Sequence, residues 1–254
     1  GRVVSAPLDP AELAVLIARL SGVAHEVGEV LRRGAFSPNI KERADCSAAL
    51  FTADGTLLVQ AEHIPVHLGS MPASVAAAIE ALGDQVAPGE QVILNDPFAG
   101  GTHLNDVTLV APAFLDGSLI GWVANRAHHA DLGGAAPGSL PADATEIQQE
   151  GLRIPPVRLT SEVAAILVAS SRTPDERAGD LDAQIGANVL GARRFVEVAA
   201  ALARAGTSGG AAVGGGAPVA GDAVALAAVA GVLDQVVAYG ERRMRAALAA
   251  LPDG

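Results

Sequence analysis

Residues 95–134 read NDPFAGGTHLNDVTLVAPAFLDGSLIGWVANRAHHADLGG, and this stretch decides the fold. Asp116-Gly117 is a two-residue turn signal between apolar runs. It predicts an antiparallel hairpin with strands over Asp106–Phe114 and Ser118–Ala127. On the return strand Ile120, Trp122, Ala124, Arg126 and His128 share one face by the period of two. The hairpin therefore brings His128 beside Asp106. His103 stands three residues before Asp106, on a loop that Gly100 and Gly101 let turn tightly. Three of the chain's six histidines fall in this stretch. Imidazole nitrogens and carboxylate oxygens together suit a transition metal. The same residues also fit a polar, loop-rich sheet end bonded to its own turns, and spacing leaves both readings open.

Upstream, Gln91–Asn95 reads as a strand. A second hairpin runs from Cys46–Phe51 to Thr56–Gln60 around Asp54-Gly55. Asp45 sits at its mouth, where the residues alone indicate a strand-edge carboxylate paired with Arg43 or Lys41. His63 and His67 are four apart, but Pro65 between them argues against a regular helix. The expectation is a strand or loop there and a short helix over Pro72–Leu82. At the N-terminal end, Asp9-Pro10-Ala11-Glu12 forms a capping-box signature, and a helix of apolar period follows to Gly34.

Downstream, Gly133–Pro141 reads as a flexible loop of the kind that serves as a lid. Glu146 is a candidate general acid or base, with a solvated surface carboxylate as the plain alternative. Helices are expected over Glu162–Ser170, Thr173–Ala205 and Ala223–Leu251. The fold class expected is mixed α/β, with β-hairpins and a mixed sheet packed against helices and long C-terminal helices. Residues 1–205 form the expected main domain, 206–222 a Gly/Ala-rich linker and 223–254 a helix leading onward.

With 254 residues, half of them hydrophobic, the chain can bury a sizeable core. A net charge of −11 does not steer it toward phosphate backbones, so no nucleic-acid partner is expected. Cys46 is the one cysteine, which excludes an internal disulfide and fits a reducing, cytoplasmic setting. It reads as a small core residue rather than a nucleophile. No apolar run approaches the ~18 residues of a membrane span, and no signal pattern opens the sequence, so no membrane association is expected.

Five stretches together resemble one family. They are SPNIKERADCS at Ser37–Ser47, HIPVHLGSM at His63–Met71, NDPFAGGTHLNDVTLVAP at Asn95–Pro112, AHHADLGGAAPGS at Ala127–Ser139 and RTPDERAGDLDAQIGAN at Arg172–Asn188. They are similar to the hydantoinase B/oxoprolinase family, from about Glu12 to Gly254. The resemblance implies a divalent metal, manganese or zinc, held by Asp45, His103, Asp106 and His128. His63, His67, His129 and Asp131 then stand behind the ligands or on the substrate side. It also implies a hydantoinase A-type ATP-binding subunit as partner and a small cyclic amide as substrate: a hydantoin, 5-oxoproline or a lactam. The partner would phosphorylate the amide oxygen with ATP, and the ring would open at the metal centre. A ketone carboxylase subunit and a truncated scaffold that only binds the partner stay open as alternatives. Family chains continue well past Leu251-Pro252-Asp253-Gly254, and this sequence has no phosphate loop of its own. The expectation is therefore an N-terminal portion, either a fragment or a truncation whose missing half comes from another chain.

Overall fold

The computed structural model describes residues 7–62, 65–208 and 219–251. Helix α1 (Pro10–Gly34) starts as the sequence requires. The Asp9 carboxylate accepts from the backbone of Ala11 and Glu12, and the Glu12 side chain reaches back to the Asp9 N–H. A single turn, α2 (Pro38–Lys41), leads into the hairpin β1 (Cys46–Thr52) and β2 (Leu57–Glu62). Helix α3 (Pro65–Leu82) and the short β3 (Val92–Leu94) precede the long hairpin β4 (Asp106–Leu115) and β5 (Ser118–His128). After a winding segment come β6 (Val157–Arg158), α4 (Ser161–Ser170), α5 (Pro174–Ser208) and α6 (Val219–Ala249).

The six strands form one sheet in the order β2-β1-β5-β4-β3-β6. The mixed α/β class is as expected, but every pairing in the sheet is antiparallel rather than mixed. Two of these pairings, β1–β2 and β4–β5, are tight hairpins, which join antiparallel neighbours. At the β4–β5 turn Asp116 and Gly117 both take positive φ, 49° and 79°, which matches the twist of the strands it joins.

The sheet is covered on both faces. Cys46, Ala48, Leu50, Val123 and Ala127 point to one face, where α1, α5 and α6 supply Leu20, Val27, Leu31, Phe195, Val229 and Leu233. Ala49, Phe51, Trp122 and Ala124 point to the other, against Met71, Val75 and Ala78 of α3. A third cluster packs Ile93, Val107 and Leu109 on Leu167 of α4 and Leu181 of α5.

Three expectations change. Helix α3 begins at Pro65 and runs through Pro72, instead of starting there. Proline is tolerated in a first helical turn, where its missing N–H has no partner to lose, so Pro65 opens the helix rather than forbidding it. Helices α5 and α6 extend to Ser208 and from Val219, into the expected linker, whose remaining residues 209–218 lie outside the described ones. By length and composition α6 is long and apolar enough, over Val224–Ala249, to cross a membrane, contrary to expectation. Its buried Val229, Leu233 and Val236 pack into the main core, while Val224, Met244 and Leu248 are exposed.

Candidate metal centre

The β4–β5 register sets Asp106 directly opposite His128. Cys46 of β1 pairs with Ala127 on the far side of β5, and the His128 N–H donates to the Asp45 carbonyl at 3.0 Å. Three strand ends thus meet at one corner of the sheet. The loop before β4 is held there by close packing. Gly100 has φ 86°, and a Cβ on it would lie 2.4 Å from the backbone of Ala73 and Ser74 in α3. No side chain fits that gap, so glycine is what lets the His103 loop lie against the helix.

Asp106 is the hub of this corner. Its side chain is 1% exposed, and Oδ1 accepts from His128 Nδ1 at 2.7 Å. Oδ2 accepts from the ring Nδ1 and the backbone N–H of His103, both at 3.1 Å, and from the Thr102 hydroxyl. The His103 and His128 rings meet edge to face with centroids 5.9 Å apart. His67, on α3, is buried. Ser47 Oγ holds its Nδ1 at 3.0 Å, which turns Nε2 toward Asp106 Oδ1 at 3.7 Å and Asp45 Oδ1 at 3.9 Å.

The electrostatics follow from these contacts. Burial opposes ionisation of Asp106, but hydrogen bonds from His128, His67 and Thr102 outweigh it and hold the carboxyl far below the usual range. Burial likewise disfavours protonated His128, yet its hydrogen bond to Asp106 and the charges of Asp106 and Asp45 raise its pKa. Arg126 lies on the same face, fully buried, and burial pushes it down to about 10. Its Nε donates to Thr108, Nη1 to Ser70, and Nη2 to Ser74 and the Gly100 carbonyl at 3.3 Å. One cation therefore fastens β5 to α3 and to the loop that carries His103.

Among the described residues, donor atoms of His103, Asp106 and His128 lie within 4.8 Å of one another. Two imidazoles and a carboxylate at this spacing fit a divalent first-row ion, and the half-exposed His103 leaves the site a solvent-facing side. Asp45 lies outside this tight group, beyond His67, with its side chain 28% exposed.

The other expected residues go elsewhere. His129 faces α5, fully buried, with Nε2 on Gln184 Oε1 at 2.8 Å. Burial, then the charge of Arg177, pushes its pKa down to about 4. Asp131 is a loop staple: it accepts from the N–H groups of Gly133, Gly138 and Arg172 and pairs with the Arg172 guanidinium at 3.0 Å. The segment expected to be a flexible lid is thus tied down at several points, and Arg172 also donates to the carbonyls of Gly133, Gly134 and Ala136. Glu146 is exposed and caps the short turn Ile147–Gln149. His63 lies outside the described residues. Thr102, Ser47 and Arg126 went unassigned in the sequence. For Arg126 a signal existed, a charged side chain on the buried face of a strand, in line with His128.

Comparison with known proteins identifies the family. The family model described as Hydantoinase B/oxoprolinase matches residues 9–208. The chain is 41% identical over 200 residues to an uncharacterized protein of Methanocaldococcus jannaschii, covering 75% of this chain and 36% of that protein. It is 38% identical over 203 residues to 5-oxoprolinase of Dictyostelium discoideum, covering 78% of this chain and 16% of that one. Against caprolactamase subunit beta of Pseudomonas jessenii the identity is 34% over 197 residues, covering 75% of this chain and 34% of the subunit. The crystal structure of ATP-dependent caprolactamase from Pseudomonas jessenii superposes with a TM-score of 0.80 at 31% identity, over 98% of this chain and 40% of that chain. An acetone carboxylase structure shares the fold, with a TM-score of 0.71 at 22% identity over 89% of this chain and 28% of that one. The chain thus spans between about a sixth and about a third of the lengths of these curated relatives. It belongs to the hydantoinase B/oxoprolinase family.

Proposed function

From that family membership, we propose that this chain supplies the divalent-metal centre of an ATP-dependent cyclic amide hydrolase. It is the N-terminal portion of a longer unit and works with a hydantoinase A-type ATP-binding subunit. The observation that carries this reading is the convergence of His103, Asp106 and His128 at one sheet corner, with Asp45 adjoining. Manganese or zinc suits that donor set, and the named relatives are 5-oxoprolinases and a caprolactamase subunit. A cytoplasmic setting accords with the use of ATP.

An unstrained cyclic amide resists water because its carbon is a poor electrophile. Phosphorylation of its oxygen by the ATP-binding partner removes that resistance. Asp45, His103, Asp106 and His128 would hold the ion, which when bound supplies a Lewis acid to the reacting group. Asp106 keeps both imidazoles aimed at one point. Ser47 fixes His67 so that its Nε2 stands beside the carboxylates, ready to bond to a substrate heteroatom. Arg126 locks the His103 loop against α3, so ligands from different segments keep their spacing.

Two measurements test this. Elemental analysis should find near-stoichiometric metal in the wild type and little in His103→Ala; equal trace amounts in both would overturn the site. With the ATP-binding partner and the remaining polypeptide co-expressed, ATP-dependent opening of hydantoin, 5-oxoproline or caprolactam is expected. Carboxylation of acetone with bicarbonate and no ring opening would overturn the chemistry.

A further inference from the structure

Asp45 is the proposed ligand that stands apart from the tight group. Asp106 and His128 are held by strand pairing, whereas Asp45 lies just before β1. Its backbone is tied on two sides. The carbonyl accepts from the His128 N–H at 3.0 Å, and the N–H donates to the Asn39 carbonyl at 3.0 Å. Its placement therefore depends on the end of β5 and on the single turn α2. Ala44, directly before it, takes φ 54°, a region that residues with side chains hold only when their surroundings impose it. The bend that carries Asp45 is thus fixed from outside.

The turn α2 does not fix itself, because so short a helix has no stability of its own. Its N-cap residue, Ser37, makes no side-chain capping bond. Two anchors take the place of the cap. Ile40 is fully buried in the main core. Asp180 of α5 is the other: its Oδ1 accepts from the N–H groups of Phe36 and Ser37 at 2.8 and 3.0 Å. One apolar side chain leaves a turn free to pivot, while hydrogen bonds at its start are directional and set its angle. From that start a run of backbone bonds leads to the ligand. The Ser37 carbonyl accepts from Lys41 at 3.0 Å, the Pro38 carbonyl from Glu42 at 2.9 Å, and the Asn39 carbonyl from Asp45 itself.

The neighbours of Asp180 serve the same grip. The Phe36 ring lies over Gly179, where a Cβ would stand 2.5 Å from Phe36 Cγ. Only glycine lets the chain come this close to α5. Arg177 Nη2 lies 3.0 Å from Asp180 Oδ2, and both side chains are fully buried. The pair keeps a carboxylate in a place where an unpartnered one would be strongly unfavourable.

We propose that Asp180 is a positioning residue for Asp45. By gripping the backbone of Phe36 and Ser37 it sets α2, and through α2 the approach of the Asp45 carboxylate to His103, Asp106 and His128. The proposal rests on the reading of Asp45 as a ligand, and it assigns to α5 a part in the metal centre that no contact with the ion provides.

Zinc affinity of the full chain tests it. Arg177→Met with Asp180→Leu removes the acceptor and both buried charges while keeping volume, a change that buried ion pairs often tolerate. It should weaken zinc binding about tenfold, as loss of groups that orient ligands does. Arg177→Met with Asp180→Asn keeps an amide oxygen for the two N–H groups and should bind as wild type does. In an Asp45→Asn background, Arg177→Met with Asp180→Leu should weaken binding no further. Zinc affinity unchanged by Asp180→Leu would overturn the proposal and leave the metal site standing. So would equal losses for Asp180→Leu and Asp180→Asn, or the same loss with and without Asp45. Zinc affinity that Asp45→Asn does not change would remove Asp45 from the ligand set and the proposal with it. Should the Asp180→Leu chain fail to fold, amide hydrogen exchange of the wild type decides. By reciprocity, zinc should slow exchange of the Phe36 and Ser37 amides about tenfold. Exchange there that zinc leaves unchanged would overturn the proposal.

Discussion

His128 and His129 are neighbours in sequence and opposites in setting. His128 ends β5 on the α3 face, beside carboxylates, and its pKa is raised. His129 faces α5, bonded to a neutral amide and near an arginine, and is held at about 4. Strand parity alone separates them. A His-His pair at a strand end is thus one residue for each side of the sheet. The α3 side gathers negative charge around one point that is open to solvent. The α5 side spreads neutral amides and one ion pair through a closed interface.

Asp106→Asn attacks the first side and should have the largest effect. It removes the charge on which His103 and His128 converge, and metal content should fall from near-stoichiometric to trace by elemental analysis. Retention of the ion would show that the two sides differ less than their contacts indicate. Gln184→Leu attacks the second side. It leaves Val107 O, Asn125 Oδ1 and His129 Nε2 without their partner, and at about 1 kcal/mol or more each should lower stability by roughly 3 kcal/mol in calorimetry. Metal affinity of the folded fraction should stay within about threefold, because no ligand is touched.

Asp131→Asn, at the loop beyond both histidines, should cost least, about 1–2 kcal/mol. Burial raises the Asp131 pKa, but the N–H groups of Gly133, Arg172 and Gly138 and the Arg172 side chain together lower it. A lowered carboxyl adds stability above its unfolded pKa of about 3.9, which is lost as pH falls through the folded value. The stability gap between wild type and variant should therefore be full and constant above about pH 4 and close as pH falls from there through the folded pKa. A gap that stays constant at lower pH too would show that Asp131 acts through shape rather than charge.

Much of the corner was legible because hairpins are local. The Asp116-Gly117 turn was enough to predict the hairpin. The pairing of Asp106 with His128 also needs the bulge between Ala113 and Phe114, which local reading misses. That bulge puts Ile120 on the face opposite Trp122 rather than in line with it. The first helix was legible from its capping box. What escaped depended on contacts between distant segments. Nothing near His67 in sequence says that Ser47 will orient it, and Pro65 looked like a breaker although it opens the helix. The stripe of Arg177, Asp180, Gln184 and Asn188 reads as an ordinary polar helix face, and only the sheet beneath reveals it as buried. Asp45 is the residue that local reading explains least, since its neighbours there include His67 and the end of β5.

The Asp116-Gly117 turn lies at the far end of the β4–β5 hairpin, roughly 33 Å of strand from His128. Pairing between the strands is counted outward from that turn, through the one bulge between Ala113 and Phe114. One residue gained or lost there would slip the register and exchange the two histidines between the faces of the sheet. The ring now beside Asp106 would enter the closed amide interface, and the one now on Gln184 would meet the carboxylates. The chemical identity of the corner is thus written partly at the opposite edge of the molecule, in the length of a two-residue turn that touches neither site.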